Sequence, residues 1–339
     1  RHLMHLFHWL RAALGAVALA ATSMAAHAQL VPAERDTLVN LYNDTGGTAW
    51  GNNTGWLSGN PCGPGATPWY GVTCSGDGLH VAELHLSGNQ LNGTLPDLSA
   101  LTALTRMNVS YNQLHGPLTT IGSLSSLVGF WANSNQFSGY LPDLPAMTAL
   151  GYFYVSDNQL IGPIPDISGL TSLRDFRVST NRLTGTPPAA PGGLIDGGSS
   201  LCPNFLHAPS PSDPAWSAST GEADWSRWCT PGWLVTVNAG AGGSVSPSPG
   251  LAVQPGETAA FTITPEAGYT IGAIFSSCAG GTLAGNVFTT DPVTADCLVD
   301  ISFIAPPTVA VPTLGAWSLM LLGALAAGMG MRRTRRHLL

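Results

Sequence analysis

The chain contains no lysine, and few of its 339 residues carry a charge. Only 9% are charged, and all twelve basic residues are arginines. Six of these arginines lie close to the two ends. The body from Gln29 to Met331 therefore sets six arginines against nineteen acidic residues, a formal excess of thirteen negative charges. A body of that sign disfavours nucleic acid or an anionic lipid surface as its partner.

Recognisable catalytic motifs are also missing. The sequence has no Gly-x-Ser-x-Gly elbow, no phosphate-binding loop and no His-Glu-x-x-His. His85 stands two residues after Glu83, and a histidine beside a carboxylate can act as a base, but no nucleophile accompanies the pair at a definable spacing. The sequence therefore predicts a protein that is not an enzyme and has no cofactor or metal. A hydrolase that depends on His85 is the alternative.

Long soluble helices are not expected, because 41 glycines and 26 prolines favour turn-rich β structure. The length exceeds that of a usual single domain, so several units are predicted.

A 23-residue pattern, repeated five times between Val81 and Pro188, organises the chain. Each copy has apolar residues eight, five and three positions before an asparagine, a Leu or Phe two positions after it, and a Gly two positions further on. These asparagines are Asn89, Asn112, Asn135, Asn158 and Asn181. A fixed period of this length indicates a solenoid. Each coil supplies one short strand, and the stacked strands form a parallel sheet over a continuous core. The asparagines are predicted to bond backbone groups of neighbouring coils.

The pattern LxxLxLxxNxLxGxxP resembles the leucine-rich repeat, and its Gly-x-x-Pro ending resembles the plant-type subclass. The resemblance implies a solenoid over residues 79–201, with a parallel β-sheet on its concave face and mostly β and irregular structure elsewhere. Residues 29–78 resemble the amino-terminal cap of such repeats, and residues 202–232 look like a carboxy-terminal cap.

Six cysteines are predicted to form three disulfides, as export permits. The pairs are Cys62 with Cys74, Cys202 with Cys229, and Cys278 with Cys297. Zinc is the alternative for the first pair, although no second pair of ligands accompanies it. The tryptophans of the second cap, Trp216, Trp225 and Trp228, are interpreted as lid packing rather than as platforms for sugars.

Residues 233–305 are predicted to form a separate small all-β domain, because apolar residues alternate between Gly- and Pro-containing turns. The segments 253–257 and 264–269 resemble small bacterial surface modules related to internalin B-repeats. This resemblance implies a stalk or spacer.

The two ends of the chain are interpreted as targeting segments. Residues 1–28 have a basic opening, a short apolar run and an Ala-His-Ala site, which predicts a secretory signal peptide; an uncleaved anchor is the alternative. Residues 306–317 comprise a Pro-rich linker and a motif that contains Val311, Pro312, Thr313, Leu314 and Trp317. A predicted transmembrane helix (314–331) and a basic cytoplasmic tail (332–339) follow.

This carboxy-terminal arrangement resembles the IPTL-CTERM sorting signal. The resemblance implies an exosortase-type enzyme as a partner, cleavage near the motif, and a protein held in the inner membrane of a bacterium before transfer to the cell surface or release. A plain tail anchor is the alternative.

The predicted concave face supplies the candidate ligand-binding residues. The centres of the five strands carry His85, Asn108, Trp131, Tyr154 and Arg177, and the positions two residues earlier carry Glu83, Arg106, Gly129, Tyr152 and Asp175. Tyr111, Ser134 and Asp157 lie near the strand ends. Exposed Trp and Tyr with flanking Arg are typical of recognition surfaces.

Two functions follow from this reasoning. The first is a non-catalytic, exported, surface-sorted protein that binds a peptide, protein or glycan on the concave face. The second is an envelope or extracellular-matrix spacer without a specific ligand.

Overall fold

The computed structural model describes residues 30–63, 65–207 and 214–306. The predicted signal peptide, sorting motif, transmembrane helix and basic tail lie outside these residues. Within the described ranges, none of the helices has the length and apolar character needed to cross a membrane.

A repeated pair of strands builds the solenoid, one strand on each side of every coil. The first sheet contains β2 (Val81–His85), β4 (Arg106–Asn108), β6 (Gly129–Trp131), β8 (Tyr152–Tyr154) and β10 (Asp175–Arg177). The second contains β3 (Asn92–Thr94), β5 (Gln113–Gly116), β7 (Gln136–Gly139), β9 (Gln159–Gly162), β11 (Arg182–Gly185) and β12 (Phe205–Leu206).

All pairings between coils are parallel, which confirms the predicted solenoid and its concave sheet. The second sheet was not predicted, because the residues that form it carry no alternation of apolar and polar side chains beyond a single Leu or Phe.

The core lies between the two sheets and is filled by the periodic apolar residues. Phenyl rings from successive coils stack along it: Phe130 lies 5.9 Å from Phe153, which lies 5.6 Å from Phe176. The row ends on Trp216 of the carboxy-terminal cap, whose ring lies 6.1 Å from Phe176. The predicted lid role of Trp216 is thus visible in direct packing on the last coil.

Four of the five predicted asparagines join neighbouring coils through their side chains, whereas the Asn89 side chain joins its coil to Asn52 of the amino-terminal cap. Asn181 donates from Nδ2 to the carbonyl oxygens of Val155 (2.9 Å) and Val178 (3.0 Å), and its Oδ1 accepts from the Leu160 N–H at 2.9 Å. Equivalent bonds recur at Asn112, Asn135 and Asn158. Each side chain therefore satisfies backbone groups that the coil buries.

The ladder continues one coil further than the repeat pattern indicates. Asn204 stands 23 residues after Asn181, donates to the Val178 and Leu201 carbonyls, and accepts from the Leu183 N–H. The sequence placed Asn204 in the cap, because two of the three apolar positions before it hold Asp196 and Ser199. A degenerate sixth coil therefore lies under the cap.

Both caps have the expected disulfides, and all their tryptophans except Trp228 are buried. Helix α1 (Pro32–Asp44) and strand β1 (Val72–Cys74), which pairs antiparallel with β2, begin the solenoid. Disulfides join Cys62 to Cys74 and Cys202 to Cys229, so the disulfide prediction is confirmed in both. Helix α2 (Pro214–Thr220) and a short 3₁₀ helix at Trp225–Trp228 complete the second cap. The prediction for Trp228 was wrong: its side chain is 60% exposed and stacks with Arg227 instead of packing into the lid.

Residues 233–304 form two four-stranded sheets with their own core. One sheet has the order β15-β13-β20-β17 and the other β14-β16-β19-β18. The strands are β13 (Trp233–Ala239), β14 (Gly243–Ser246), β15 (Gly250–Val253), β16 (Ala260–Pro265), β17 (Thr270–Ser276), β18 (Gly281–Ala284), β19 (Val287–Thr290) and β20 (Cys297–Ile304). The third predicted disulfide, between Cys278 and Cys297, closes this unit.

Candidate ligand-binding groove

Five side chains predicted at the strand centres lie in one row across the concave sheet. The register pairs His85 with Asn108, Asn108 with Trp131, Trp131 with Tyr154, and Tyr154 with Arg177. At the usual strand spacing the backbones of neighbours in this row are about 4.8 Å apart. The predicted placement of the row is therefore seen in the structure.

Part of this row lines an open cavity of about 520 Å³ on the concave face. Of the predicted ligand-binding residues, the cavity walls include Asn108, Tyr111, Trp131, Tyr154 and Arg177. We call this cavity the concave groove. His85, Arg106, Tyr152 and Asp175 are not among its lining residues. The strand-centre residues of the groove thus come from the second to the fifth coil, and Ser87 extends its wall to the first coil.

Asp175 is not an exposed contact residue, which corrects the sequence-based expectation. Its side chain is 3% exposed, accepts a hydrogen bond from the Tyr154 hydroxyl at 2.5 Å, and forms an ion pair with Arg177 at 2.9 Å. The Arg177 guanidinium lies over the Tyr154 ring, 4.6 Å from its centroid. Asp175 therefore positions two groove residues from beneath, because the strand turns its side chain towards them.

The pKa values at this end of the groove reflect these contacts. Burial and the hydrogen bond to Asp175 raise the pKa of Tyr154 to about 12. The hydrogen bond to the same carboxylate raises the pKa of Arg177. Tyr154 is therefore a neutral phenol, and Arg177 a cation, at any physiological pH.

The opposite end of the row holds a charged cluster outside the groove. Glu83 accepts a hydrogen bond from His85 at 2.8 Å and pairs with Arg106 at 3.1 Å. These contacts, led by the hydrogen bond with His85, lower the pKa of Glu83. His85 and Glu83 thus lie together, as their spacing predicts. The Glu83 carboxylate is already paired with both His85 and Arg106, and the cluster lies on an exposed face of the sheet.

The Trp131 indole lies over Gly129, a glycine whose role was not predicted from the sequence. A Cβ built on Gly129 would lie 2.2 Å from Cη2 of the Trp131 indole and 2.4 Å from Cζ3, so the ring occupies the space that any side chain there would need. The same ring stacks beside Tyr152, with centroids 6.1 Å apart and planes at 19°. The absence of a side chain at Gly129 therefore makes room for the indole, and we call this space the seat of Trp131.

A row of hydroxyl side chains runs beside the aromatic row and was also missed. Ser87 and Ser110 bond each other at 2.8 Å, and Ser156 bonds Ser179 at 3.0 Å. All four line the groove. The available signal was their position, two residues before a ladder asparagine in each coil. The groove therefore pairs aromatic faces with hydroxyl groups, the combination that adaptable recognition surfaces use.

Tyr111 has an unusual backbone conformation for an aromatic residue. Its φ is 56°, in the left-handed region, and its side chain is 65% exposed. The equivalent position holds Gly88, Ser134, Asp157 and Thr180 in other coils, all with positive φ. The repeat demands this conformation at every coil, and glycine would adopt it at the lowest cost.

The described residues contain no group of three or more His, Cys, Asp or Glu side chains placed to hold a metal ion.

Comparisons with known proteins concern the carboxy-terminal tail and the solenoid. Residues 309–336 match the family model of the IPTL-CTERM motif. No curated protein sequence matches the chain.

Solved structures similar to this chain include ectodomains of plant receptors. The leucine-rich repeat ectodomain of the receptor kinase SOBIR1 from Arabidopsis thaliana is 24% identical over 48% of this chain and 86% of its own, with a TM-score of 0.40. The BIR2 ectodomain from Arabidopsis thaliana is 25% identical over 55% of this chain and 98% of its own, with a TM-score of 0.43.

The repeat pattern, the parallel coils and the asparagine ladder define a leucine-rich repeat solenoid. The motif match adds an IPTL-CTERM sequence at the carboxy end of the same chain. The chain is thus a leucine-rich repeat protein with an IPTL-CTERM tail.

Proposed function

We propose that this is a non-catalytic, exported and surface-sorted protein that binds an extracellular ligand on its concave face. The observation that carries the proposal is the concave groove, which places Tyr111, Trp131 and Tyr154 in one cavity of about 520 Å³. Clefts of this size with a few convergent polar groups are typical ligand sites.

The groove is built before any ligand arrives. Gly129 seats the Trp131 indole, Tyr152 stacks beside it, and Asp175 holds both Tyr154 and Arg177. Side chains that are already fixed lose little conformational entropy on binding, so preorganisation of this kind raises affinity. A scaffold that served only as a rod would not need it.

Binding can be tested with two synthetic probe sets, an array of peptides and a panel of polysaccharides. Replacing Trp131 and Tyr154 with Ala should abolish the binding of whichever probes the protein retains, while the fold persists because the core rows remain. The matched control replaces Trp228 and Tyr70, two exposed aromatics remote from the groove, and should bind as before. If the groove variant still binds every probe, or no probe binds, the spacer function is favoured instead.

The proposed sorting involves both ends of the chain. Residues 1–28 would direct export, and residues 314–331 would span the inner membrane until an exosortase-type enzyme acts near Val311 to Trp317. The motif match over 309–336 supports this step. Intact-mass measurement of protein recovered from the native cell surface should show a chain that lacks Arg332 to Arg336. A mass that includes those residues would contradict processing and favour a plain tail anchor.

A further inference from the structure

Of the two charged side chains that line the concave groove, only one is compensated by a neighbouring charge. The two residues are Asp157 and Arg177. Arg177 donates from Nε and an Nη to the two carboxylate oxygens of Asp175, at 3.1 and 2.9 Å, and from Nε to the Gly198 carbonyl at 3.0 Å. Its positive charge is therefore already compensated by a buried carboxylate.

Asp157 has no such partner. Its side chain is exposed, and within the described part of the chain no hydrogen bond or ion pair engages its carboxylate. The groove therefore offers a single free charge, and that charge is negative. An acidic ligand would meet this carboxylate without finding an uncompensated cation in the cavity.

Aromatic rings share the cavity with this carboxylate. Tyr111 and Asp157 occupy equivalent positions two coils apart, so their backbones are separated by about 9.6 Å at the usual strand spacing. Trp131 lies on the coil between them, and Tyr154 lies on the same coil as Asp157. The ring centroids of Trp131 and Tyr154 are 6.0 Å apart, and their planes meet at 81°. Arg177 already covers one face of Tyr154, so a cationic side chain that entered the cavity would meet the exposed Tyr111 ring and the Trp131 indole on its way to the carboxylate, and aromatic faces attract cations electrostatically.

The surrounding body has the same sign. From Gln29 to Met331 the chain has thirteen more acidic than basic residues and no lysine. A field of that sign raises the local concentration of cationic ligands and increases their rate of association. Long-range and local charge thus favour the same kind of partner.

We propose that the concave groove binds a basic segment of an extracellular peptide or protein, with a lysine or arginine side chain held against the Tyr111 and Trp131 rings and paired with Asp157. This inference rests on the proposed binding function and specifies its ligand class. The residues of the site are Tyr111, Trp131, Tyr154 and Asp157.

The test uses the purified protein and four pools of ten-residue peptides, with randomised flanks and Arg, Lys, Ala or Glu at the centre. The Arg and Lys pools should be retained about tenfold more strongly than the Ala pool, as expected for a paired cation on aromatic faces, and the Glu pool least of all. The preference should shrink between 20 and 300 mM NaCl, concentrations chosen because exposed charges are screened by salt.

Asp157→Asn isolates the local charge, because asparagine tolerates the left-handed backbone conformation at this position. It should lower retention of the Arg and Lys pools about tenfold and leave the Ala pool unchanged. Asp166→Asn removes the same charge from an exposed turn residue outside the groove and should leave all four pools unchanged. An equal loss in both variants would mean that net charge alone drives retention and would overturn the proposal.

A panel of neutral polysaccharides separates this inference from the function on which it rests. If only polysaccharides are retained, and the Trp131→Ala, Tyr154→Ala variant loses them, the groove binds a glycan and the basic-segment proposal is overturned alone. Retention of the Ala or Glu pools as strong as that of the Arg and Lys pools would also overturn the basic-segment proposal alone. If no probe depends on the groove, both proposals fail.

Discussion

Replacing Gly129 with Ala probes the seat of Trp131 without requiring a known ligand. Gly129 has a backbone conformation that an alanine adopts, so any strain arises from the new methyl group. That group would lie 2.2 Å from the indole, whereas carbon atoms in contact prefer about 3.5–4.0 Å. The indole must therefore move by more than an ångström, which changes its packing beside Tyr152.

The expected free energies follow from this geometry. Overpacking at such a site costs about 1–2 kcal/mol of unfolding free energy. In a Trp131→Ala background the conflict is absent, and the same Gly129→Ala change should stabilise the strand by about 0.5–1 kcal/mol through the lower backbone entropy of the unfolded chain. The change thus has opposite signs in the two backgrounds.

The assay is urea unfolding of the four proteins of this double-mutant cycle, which yields the coupling between the two positions. Gly169→Ala serves as the control, because nothing lies within 4 Å of a Cβ at Gly169 and no dependence on Trp131 is expected. If Gly129→Ala changed the unfolding free energy equally in both backgrounds, the claim that Gly129 makes room for the Trp131 indole would be refuted. Once a ligand is found, Gly129→Ala should also weaken its binding.

Three further predictions concern the ladder, the amino-terminal cap and the β domain. Asn181→Ala leaves the Leu160 N–H without a partner, while the Val155 and Val178 carbonyls keep their bonds from Asn158 and Asn204, and should lower the unfolding free energy by about 1–3 kcal/mol, measured by urea unfolding. The hydrogen bond to Glu34 raises the folded-state pKa of His80 above its ordinary value of 6.5. The stabilisation that protonated His80 contributes is therefore present below pH 6.5 and is lost as the pH rises through the folded-state pKa. Melting temperatures measured across pH 5–9, a range chosen to bracket the titration, should show this loss. Removing the Cys278–Cys297 bridge, which closes a 19-residue separation, should destabilise the β domain by about 3 kcal/mol, measured by calorimetry.

Each of these predictions has its own control. Asn92→Ala changes an exposed asparagine outside the ladder and should leave the unfolding free energy nearly unchanged. A loss as large as that of Asn181→Ala would show that the ladder bonds do not account for the effect. His80→Gln should flatten the pH profile; a profile that persists would assign it to another group. Mutating both cysteines to Ser should not alter melting of the solenoid, and a parallel loss there would show that the two units unfold together.

The regular part of the fold could be predicted because its period is strict. A repeat that places apolar residues at fixed offsets from Asn89 to Asn181 determines both the strands and their register, since each coil can bury its apolar face only against the next. The sixth coil at Asn204 escaped because its apolar positions are replaced, while its asparagine keeps the 23-residue spacing.

The candidate site was predictable in position but not in detail. Equivalent positions of a repeat place Trp131 and Tyr154 side by side, so the row followed from spacing alone. The direction in which a side chain turns does not follow from spacing. Asp175 turns beneath its neighbours and the Trp131 indole folds over Gly129 of its own strand, and both depend on the particular side chains around them.

The asparagine ladder also bears on how the length of the concave sheet can evolve. From Asn112 to Asn181, each rung is completed by its own coil and the coil before it, so duplication or loss of one whole 23-residue unit leaves no rung broken. Such an event would lengthen or shorten the binding surface by one strand spacing, about 4.8 Å. Variation in the length of the concave sheet is therefore accessible to this architecture through unequal recombination, whereas an insertion within a strand or beside a ladder asparagine would disrupt the bonds between coils.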